Sequence, residues 1–348
     1  MSDSELLCYC RPGFEPELAA ELMTRTAALG VAGYCRTGAG WVSFVSPEAA
    51  ALLAKLKFSR LIFARQLLLV GARLDNLPRE NRIEPLLAAA RAQGLPPAAE
   101  LWVESADSAA GRELLPFCRK FTVPLRARLK REGLLTPTAT DKRLHVFFHS
   151  GDSCQLGYSL TANSSPNYLG IRRLKMPPAA PSRSTLKLEE ALLTFIPDWA
   201  NRPHDRQQAV DLGASPGGWT YQLVRHGMAV QAVDNGRLDA ALLKTGLVEH
   251  HAADGFKYAP PNKVQLLVCD MVESPQRITA LMVQWLLRDW CDEMIFNLKL
   301  PMKKRFAEVE SCLDQIHRQL RAAGVDFSLQ AKQLYHDREE ITVHLARR

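Results

Sequence analysis

Asp211-Leu212-Gly213-Ala214-Ser215-Pro216-Gly217-Gly218-Trp219-Thr220 is the stretch that decides the fold. A short apolar run, 209–212, leads into it, and helical spacing over 217–226 leads out. Glycines in a strand-to-helix turn let the backbone approach a ligand without side-chain obstruction. In open α/β sheets, ligands bind beyond the C-terminal strand ends, where this turn sits.

The pattern continues downstream. Strands are expected at 229–233, 264–269 and 294–298, with helices at 238–244, 278–290 and 306–323. Two closing strands, 327–333 and 341–345, are joined by a short connection. This alternation predicts an α/β domain with a mostly parallel sheet and an antiparallel edge hairpin.

Strand ends carry acids. Asp234 ends the strand after the glycine turn, about 20 residues on, where a carboxylate accepts from ribose hydroxyls. Asp254 stands at the next strand end, placed to accept from an adenine amino group. Such a set fits an adenosine-bearing cofactor. A nicotinamide enzyme would show G-x-G-x-x-G and a phosphate-cradling helix start. Pro216 stands here instead, so that reading is disfavoured.

Upstream, 6–11, 40–45 and 61–70 read as strands and 15–29 and 47–56 as helices, an α+β module over residues 1–75. A second module, 76–170, has a helix at 82–93, a strand at 101–105, a basic helical stretch at 113–133 and a hairpin of 144–149 with 154–160. Pro177, Pro178 and Pro181 stiffen a linker at 171–182. The α/β domain occupies 183–348.

A chain of 348 residues is long enough for two or three domains. No run reaches the roughly 18 apolar residues of a membrane helix, and no signal segment opens the chain, so no membrane partner is expected. Eight cysteines without a C-x-x-C pair argue against a zinc site or disulfide framework and for reduced thiols in the cytoplasm. A net charge of +7 suits a polyanionic partner.

Four charged residues stand out. Lys187 lies in Ser182-Arg183-Ser184-Thr185-Leu186-Lys187-Leu188-Glu189-Glu190, read as preceding the first strand of the domain. Asp270 ends one strand in Cys269-Asp270-Met271, and Lys299 ends the next in Asn297-Leu298-Lys299-Leu300-Pro301. Glu340 opens the last strand. Glu339 and Glu340 are adjacent, and strand alternation points only one of them at the site; placement favours Glu340.

These motifs, with the glycine turn, resemble the FtsJ-like ribose 2′-O-methyltransferases and their Lys-Asp-Lys-Glu tetrad. Arg11-Pro12-Gly13-Phe14-Glu15, the stretch Phe117 to Arg126 and Leu334-Tyr335-His336-Asp337-Arg338-Glu339-Glu340 extend the resemblance over nearly the whole chain, to bacterial members that methylate a cytidine in 23S rRNA. The resemblance implies a Rossmann-like S-adenosyl-L-methionine (SAM) domain preceded by ferredoxin-like and THUMP RNA-binding modules. It implies SAM contacts at Ser184, Ser215, Pro216, Gly217, Gly218, Asp234, Asp254 and Asp270. Lys299 is then the proton acceptor, with Lys187, Asp270 and Glu340 completing the tetrad. No metal is expected, because the sulfonium already activates the methyl group. A monomer without an obligate protein partner is expected.

Basic residues at 119–131, Arg172, Arg173, Lys175, Lys303, Lys304 and Arg305 are candidate RNA contacts. Trp219 and Tyr168 are candidates for base stacking, although packing suits Trp219 better. Two rival readings are a base-directed RNA methyltransferase and a non-catalytic RNA-binding assembly factor. Amino-group methylation typically uses an Asn/Asp-Pro-Pro-aromatic turn, and Asp270-Met271-Val272-Glu273 stands there instead. Cytosine C5 chemistry needs a nucleophilic cysteine, for which Cys269 has no supporting arrangement.

Overall fold

The computed structural model describes residues 4–139 and 141–348; the first three residues of the expected N-terminal module and Thr140 lie outside them. The chain forms two compact units, Met1–Arg172 and Arg173–Arg348.

The first unit contains β1 (Ser4–Tyr9), α1 (Glu15–Ala28), β2 (Tyr34–Gly38), β3 (Trp41–Ser46), α2 (Ala49–Lys55) and β4 (Gln66–Leu74). It continues with α3 (Ile83–Ala92), β5 (Glu100–Ser105), α4 (Ala109–Arg131), β6 (Lys142–Phe148) and β7 (Cys154–Leu160). All of its strands belong to one sheet, ordered β2-β3-β1-β4-β7-β6-β5. Leu69 of β4 pairs with Leu6 of β1 on one side and Tyr158 of β7 on the other. The sheet therefore runs unbroken past residue 75. Beneath it, Tyr9 donates a buried hydrogen bond to Glu104 at 2.8 Å.

Several elements differ from the sequence expectation. The strand expected over 61–70 begins only at Gln66. Ile62 and Phe63 are buried, but their amides donate to the Glu21 carboxylate at 2.6 and 3.0 Å, not to a neighbouring strand. The helix expected from Pro47 begins at Ala49. The basic helix begins at Ala109 rather than 113, because the Ser108 side chain caps it by accepting from Gly111 N. Strand β2 was not expected at all.

The second unit contains α5 (Thr185–Phe195), β8 (Gln208–Leu212), α6 (Gly218–Arg225), β9 (Ala229–Val233), α7 (Ala240–Leu243) and β10 (Val248–His251). Then come β11 (Val264–Cys269), α8 (Pro275–Leu287), β12 (Cys291–Lys299), α9 (Arg305–Ala322), β13 (Phe327–Lys332) and β14 (Glu340–Arg347). The sheet order is β10-β9-β8-β11-β12-β14-β13. Strands β10, β9, β8, β11 and β12 run parallel, and β14 is antiparallel to both its neighbours. This is the α/β architecture with an edge hairpin expected from the alternation.

The chain winds outward from β8 to β10 and then returns to β11 on the other side of β8. The crevice at such a reversal, beyond the C-terminal strand ends, is where open α/β sheets bind ligands. Here it lies between the glycine turn after β8 and Asp270 after β11. Lys187 does precede the first strand of the unit, β8, and it does so in a helix, α5, whose buried Leu188, Ala191, Leu192 and Phe195 pack on the sheet core.

Among the described residues no helix is long and apolar enough to cross a membrane, and no disulfide or cluster of metal-ligating side chains is present.

Candidate active site

The glycine turn is held by Asp234. Its Oδ2 accepts from Ser215 N at 3.0 Å and its Oδ1 from Gly236 N at 2.6 Å. Each carboxylate oxygen keeps a second lone pair for a ligand. The Ser215–Pro216 peptide is cis. Gly217 has φ +116°, and a Cβ there would lie 2.3 Å from Leu242 Cδ1. A Cβ on Gly218 would lie 2.1 Å from Ser184 Oγ, so Ser184 packs directly on the turn. Only glycine meets both demands.

Asp211, at the base of the turn, is fully buried. Its Oδ2 accepts from Thr220 Oγ1 at 2.6 Å, and its Oδ1 has no hydrogen-bond partner among the described residues. Burial, with help from Asp270 and Asp234, pushes its pKa up to about 7. Asp254 lies three residues past β10, exposed, with Oδ1 accepting from Phe256 N at 2.9 Å.

The four charged residues named from the sequence converge. Lys187 Nζ lies 3.2 Å from Asp270 Oδ2 and 2.5 Å from Glu340 Oε1. Lys299 Nζ pairs with Asp270 Oδ1 and with Glu340 Oε2. Each lysine thus touches both carboxylates. The register explains part of this: Lys299 on β12 stands directly opposite Glu340 on β14. Asp270 and Lys187 come from the end of β11 and the first turns of α5.

Glu340 is nearly buried, its side chain 5% exposed, while Glu339 points away and pairs with Arg305 at 2.6 Å. The Lys299 ammonium feels opposing influences. Burial pulls its pKa down, but Asp270 and Glu340 outweigh burial and hold it above the ordinary lysine value.

Other side chains support the cluster without having been singled out from the sequence. Asn297 Nδ2 donates to Asp270 Oδ1 at 3.0 Å. Glu190, one turn beyond Lys187 on α5, accepts from Tyr335 N at 3.0 Å and His336 N at 2.9 Å, and its Oε2 lies 2.6 Å from His336 Nδ1. The same helix therefore presents Lys187 and pins the loop that leads to Glu340. The only signal for Glu190 was its place in the Leu-Glu-Glu end of the Lys187 motif.

Some candidates fall elsewhere. Trp219 is buried in the core of the second unit, as packing predicted. Tyr168 donates its hydroxyl to Val103 O and packs edge-on against Trp102. Lys303 and Lys304 are exposed, whereas Arg305 is engaged by Glu339. Cys269 is buried, and burial pushes its thiol up to about 12, which suppresses the thiolate that nucleophilic chemistry requires.

Comparison with known proteins gives the family. Residues 180–318 match the FtsJ-like methyltransferase family, residues 3–68 the RlmM ferredoxin-like domain, and residues 81–160 the N-terminal family of ribosomal RNA large subunit methyltransferase M. The protein of that name from Histophilus somni (strain 129Pt) is 51% identical over 359 residues, covering 98% of this chain and 99% of its own. The chain belongs to the ribosomal RNA large subunit methyltransferase M (RlmM) family. The RlmM proteins of Aggregatibacter aphrophilus and Proteus mirabilis are 52% and 51% identical, each covering 98% of this chain and 99% and 96% of their own. The tetrad and the glycine turn lie in the FtsJ-like methyltransferase unit, Glu340 beyond the matched residues.

Proposed function

We propose that the chain is a cytoplasmic, monomeric enzyme that transfers a methyl group from SAM to the ribose 2′-hydroxyl of a cytidine in 23S rRNA. The observation that carries the reading is the paired contact of Lys187 and Lys299 with the same two carboxylates, beside the glycine turn at the sheet's switch point. Membership in a family whose named relatives are large-subunit rRNA methyltransferases supplies the substrate class.

The residues suit SAM. A ring of acids and glycine backbone, with a buried orphan oxygen on Asp211, fits a cationic nucleoside that carries no phosphate. Ser184, Ser215, Pro216, Gly217, Gly218, Asp234, Asp254 and Asp270 would hold it. Bound SAM supplies a methyl carbon made electrophilic by its sulfonium. Lys299 takes the proton of the ribose hydroxyl as the oxygen attacks, and must be neutral to do so. Asp270 and Glu340 orient its amine. Lys187, bonded to the same carboxylates, holds them in place.

RNA is gripped through charge. Arg119, Lys120, Arg126, Lys130 and Arg131 line the exposed face of α4, while Phe117 and Phe121 pack its other face against Phe148. Residues 76–170 form the THUMP module in this reading, after a ferredoxin-like module at 1–75 and before the linker at 171–182 and the methyltransferase domain at 183–348. Arg172, Arg173, Lys175, Lys303 and Lys304 add phosphate contacts.

Mass mapping of rRNA from cells lacking the protein, with and without complementation, tests the assignment. One 23S cytidine is expected to lose a methyl group and regain it. Alkaline digestion places that group: a ribose methyl protects the adjacent 3′ phosphodiester, whereas a base methyl leaves it labile and would overturn the ribose reading.

A further inference from the structure

Behind the tetrad lies a run of buried polar side chains that the reaction scheme does not use. Asn297, Thr342 and Asp337 are all fully buried. Asn297 and Thr342 stand directly opposite each other on β12 and β14, two residues along from the Lys299–Glu340 pair and so on the same sheet face. Asn297 Nδ2 donates to Asp270 Oδ1 at 3.0 Å. Thr342 Oγ1 lies 2.8 Å from Asn297 Oδ1, and 3.2 and 3.0 Å from the two Asp337 carboxyl oxygens. Asp337 Oδ2 also accepts from Leu334 N at 2.9 Å.

We propose that Asp337, Thr342 and Asn297 form a one-way hydrogen-bond chain that fixes the Asp270 carboxylate between the two lysines, with Asp337 as its proton-bearing anchor. The hydrogens available along the chain set its direction, and only its effect on rate rests on the ribose-methyltransferase reading. Asn297 spends an amide hydrogen on Asp270, so its Oδ1 is the acceptor facing Thr342. A threonine hydroxyl carries one hydrogen. Given to Asn297, it leaves Thr342 Oγ1 only lone pairs to face Asp337. An ionised Asp337 has only lone pairs too, and two acceptors buried face to face are costly. A hydrogen on Asp337, donated to Thr342, satisfies every member. Burial, together with Glu340 and Glu190 nearby, does push the Asp337 pKa well above the carboxylate range. Asp337 is thus a positioning residue, acting on the site only through Thr342 and Asn297.

Asp337→Asn keeps a donor toward Thr342 and an acceptor for Leu334 N, and is expected to retain kcat. Thr342→Val breaks the chain and should lower kcat between about 10- and 100-fold, the scale of a small misplacement, with KM for RNA unchanged; Thr342→Ser should restore it. Infrared difference spectra of wild type against Asp337→Asn near neutral pH read the anchor without any turnover. A protonated-carboxyl band is expected on the wild-type side. Its absence, or an unchanged kcat in folded Thr342→Val, overturns the proposal. If the wild type methylated no ribose, that reading would fall, and the infrared band would still decide the chain.

Discussion

Glu340 and Glu339 are neighbours in the chain with opposite fates: the first receives both lysines of the cluster, and the second faces solvent and pairs with Arg305. Their substitutions should therefore separate. Glu340→Gln keeps the shape but removes a charge buried between two ammonium groups, and methyl transfer should fall by about 100-fold or more. Glu339→Gln touches an exposed ion pair and should change kcat by less than about threefold. Single-turnover rates on unmethylated rRNA measure both.

Lys299→Ala removes the proton acceptor while leaving Lys187 to pair with Asp270 and Glu340. Methyl transfer should drop by about 10²–10⁴-fold, the usual worth of a general base. SAM affinity by calorimetry should change little. Lost SAM binding with chemistry retained would move the base elsewhere.

The Lys299 ammonium is held above its ordinary pKa by Asp270 and Glu340, which outweigh burial. Its neutral form is scarce at neutral pH, and each unit of pH raises it tenfold. The chemical step, followed by rapid quench, should rise with pH and show no plateau below roughly pH 9, given an ordinary lysine near 10.4. A flat profile from neutral pH upward would contradict an acceptor amine whose pKa is held above the ordinary lysine value.

Asp211 provides a test on stability alone. Its folded pKa is raised from 3.8 to about 7. Below the lower value both states hold the proton. Between the two values the unfolded chain releases it and the folded chain does not, so stability falls as pH rises. The fall ends near the upper value. Asp211→Asn lacks this penalty. Its melting temperature minus that of wild type, without SAM, should climb between pH 5 and 7 and level off above. A pH-independent difference would contradict the assigned shift.

Gly217→Ala places a Cβ at positive φ and 2.3 Å from Leu242 Cδ1. Strain and overpacking together predict a loss of about 1–3 kcal/mol in unfolding free energy, with weakened SAM binding. Denaturant titration reads the first and calorimetry the second.

Much of the second unit was legible because its signals are local. Apolar runs ending in Gly, Asp or Lys marked β8, β11 and β12, and parallel pairing then carried the glycine turn, Asp270 and Lys299 to one edge. The antiparallel register of β12 with β14 brought Glu340 opposite Lys299, which spacing alone does not encode. Strand β2 escaped notice because residues 34–38 are mostly exposed and lack apolar alternation. Helix α5 is hidden by a start rich in serine, and β4 starts later than its apolar run because Glu21, far away in sequence, claims the amides of Ile62 and Phe63. The Asp337–Thr342–Asn297 chain is invisible by its nature: polar residues in strands and loops read as solvated until a tertiary structure buries them.

Strand β4 has a further consequence for the first unit. Because its amides and carbonyls are claimed on both flanks, by β1 and by β7, a fragment ending near residue 75 would expose a fresh, apolar, unpaired strand edge. Such a piece is expected to self-associate in solution instead of behaving as an autonomous module. The two N-terminal sequence families would then have to be inherited, and lost, together.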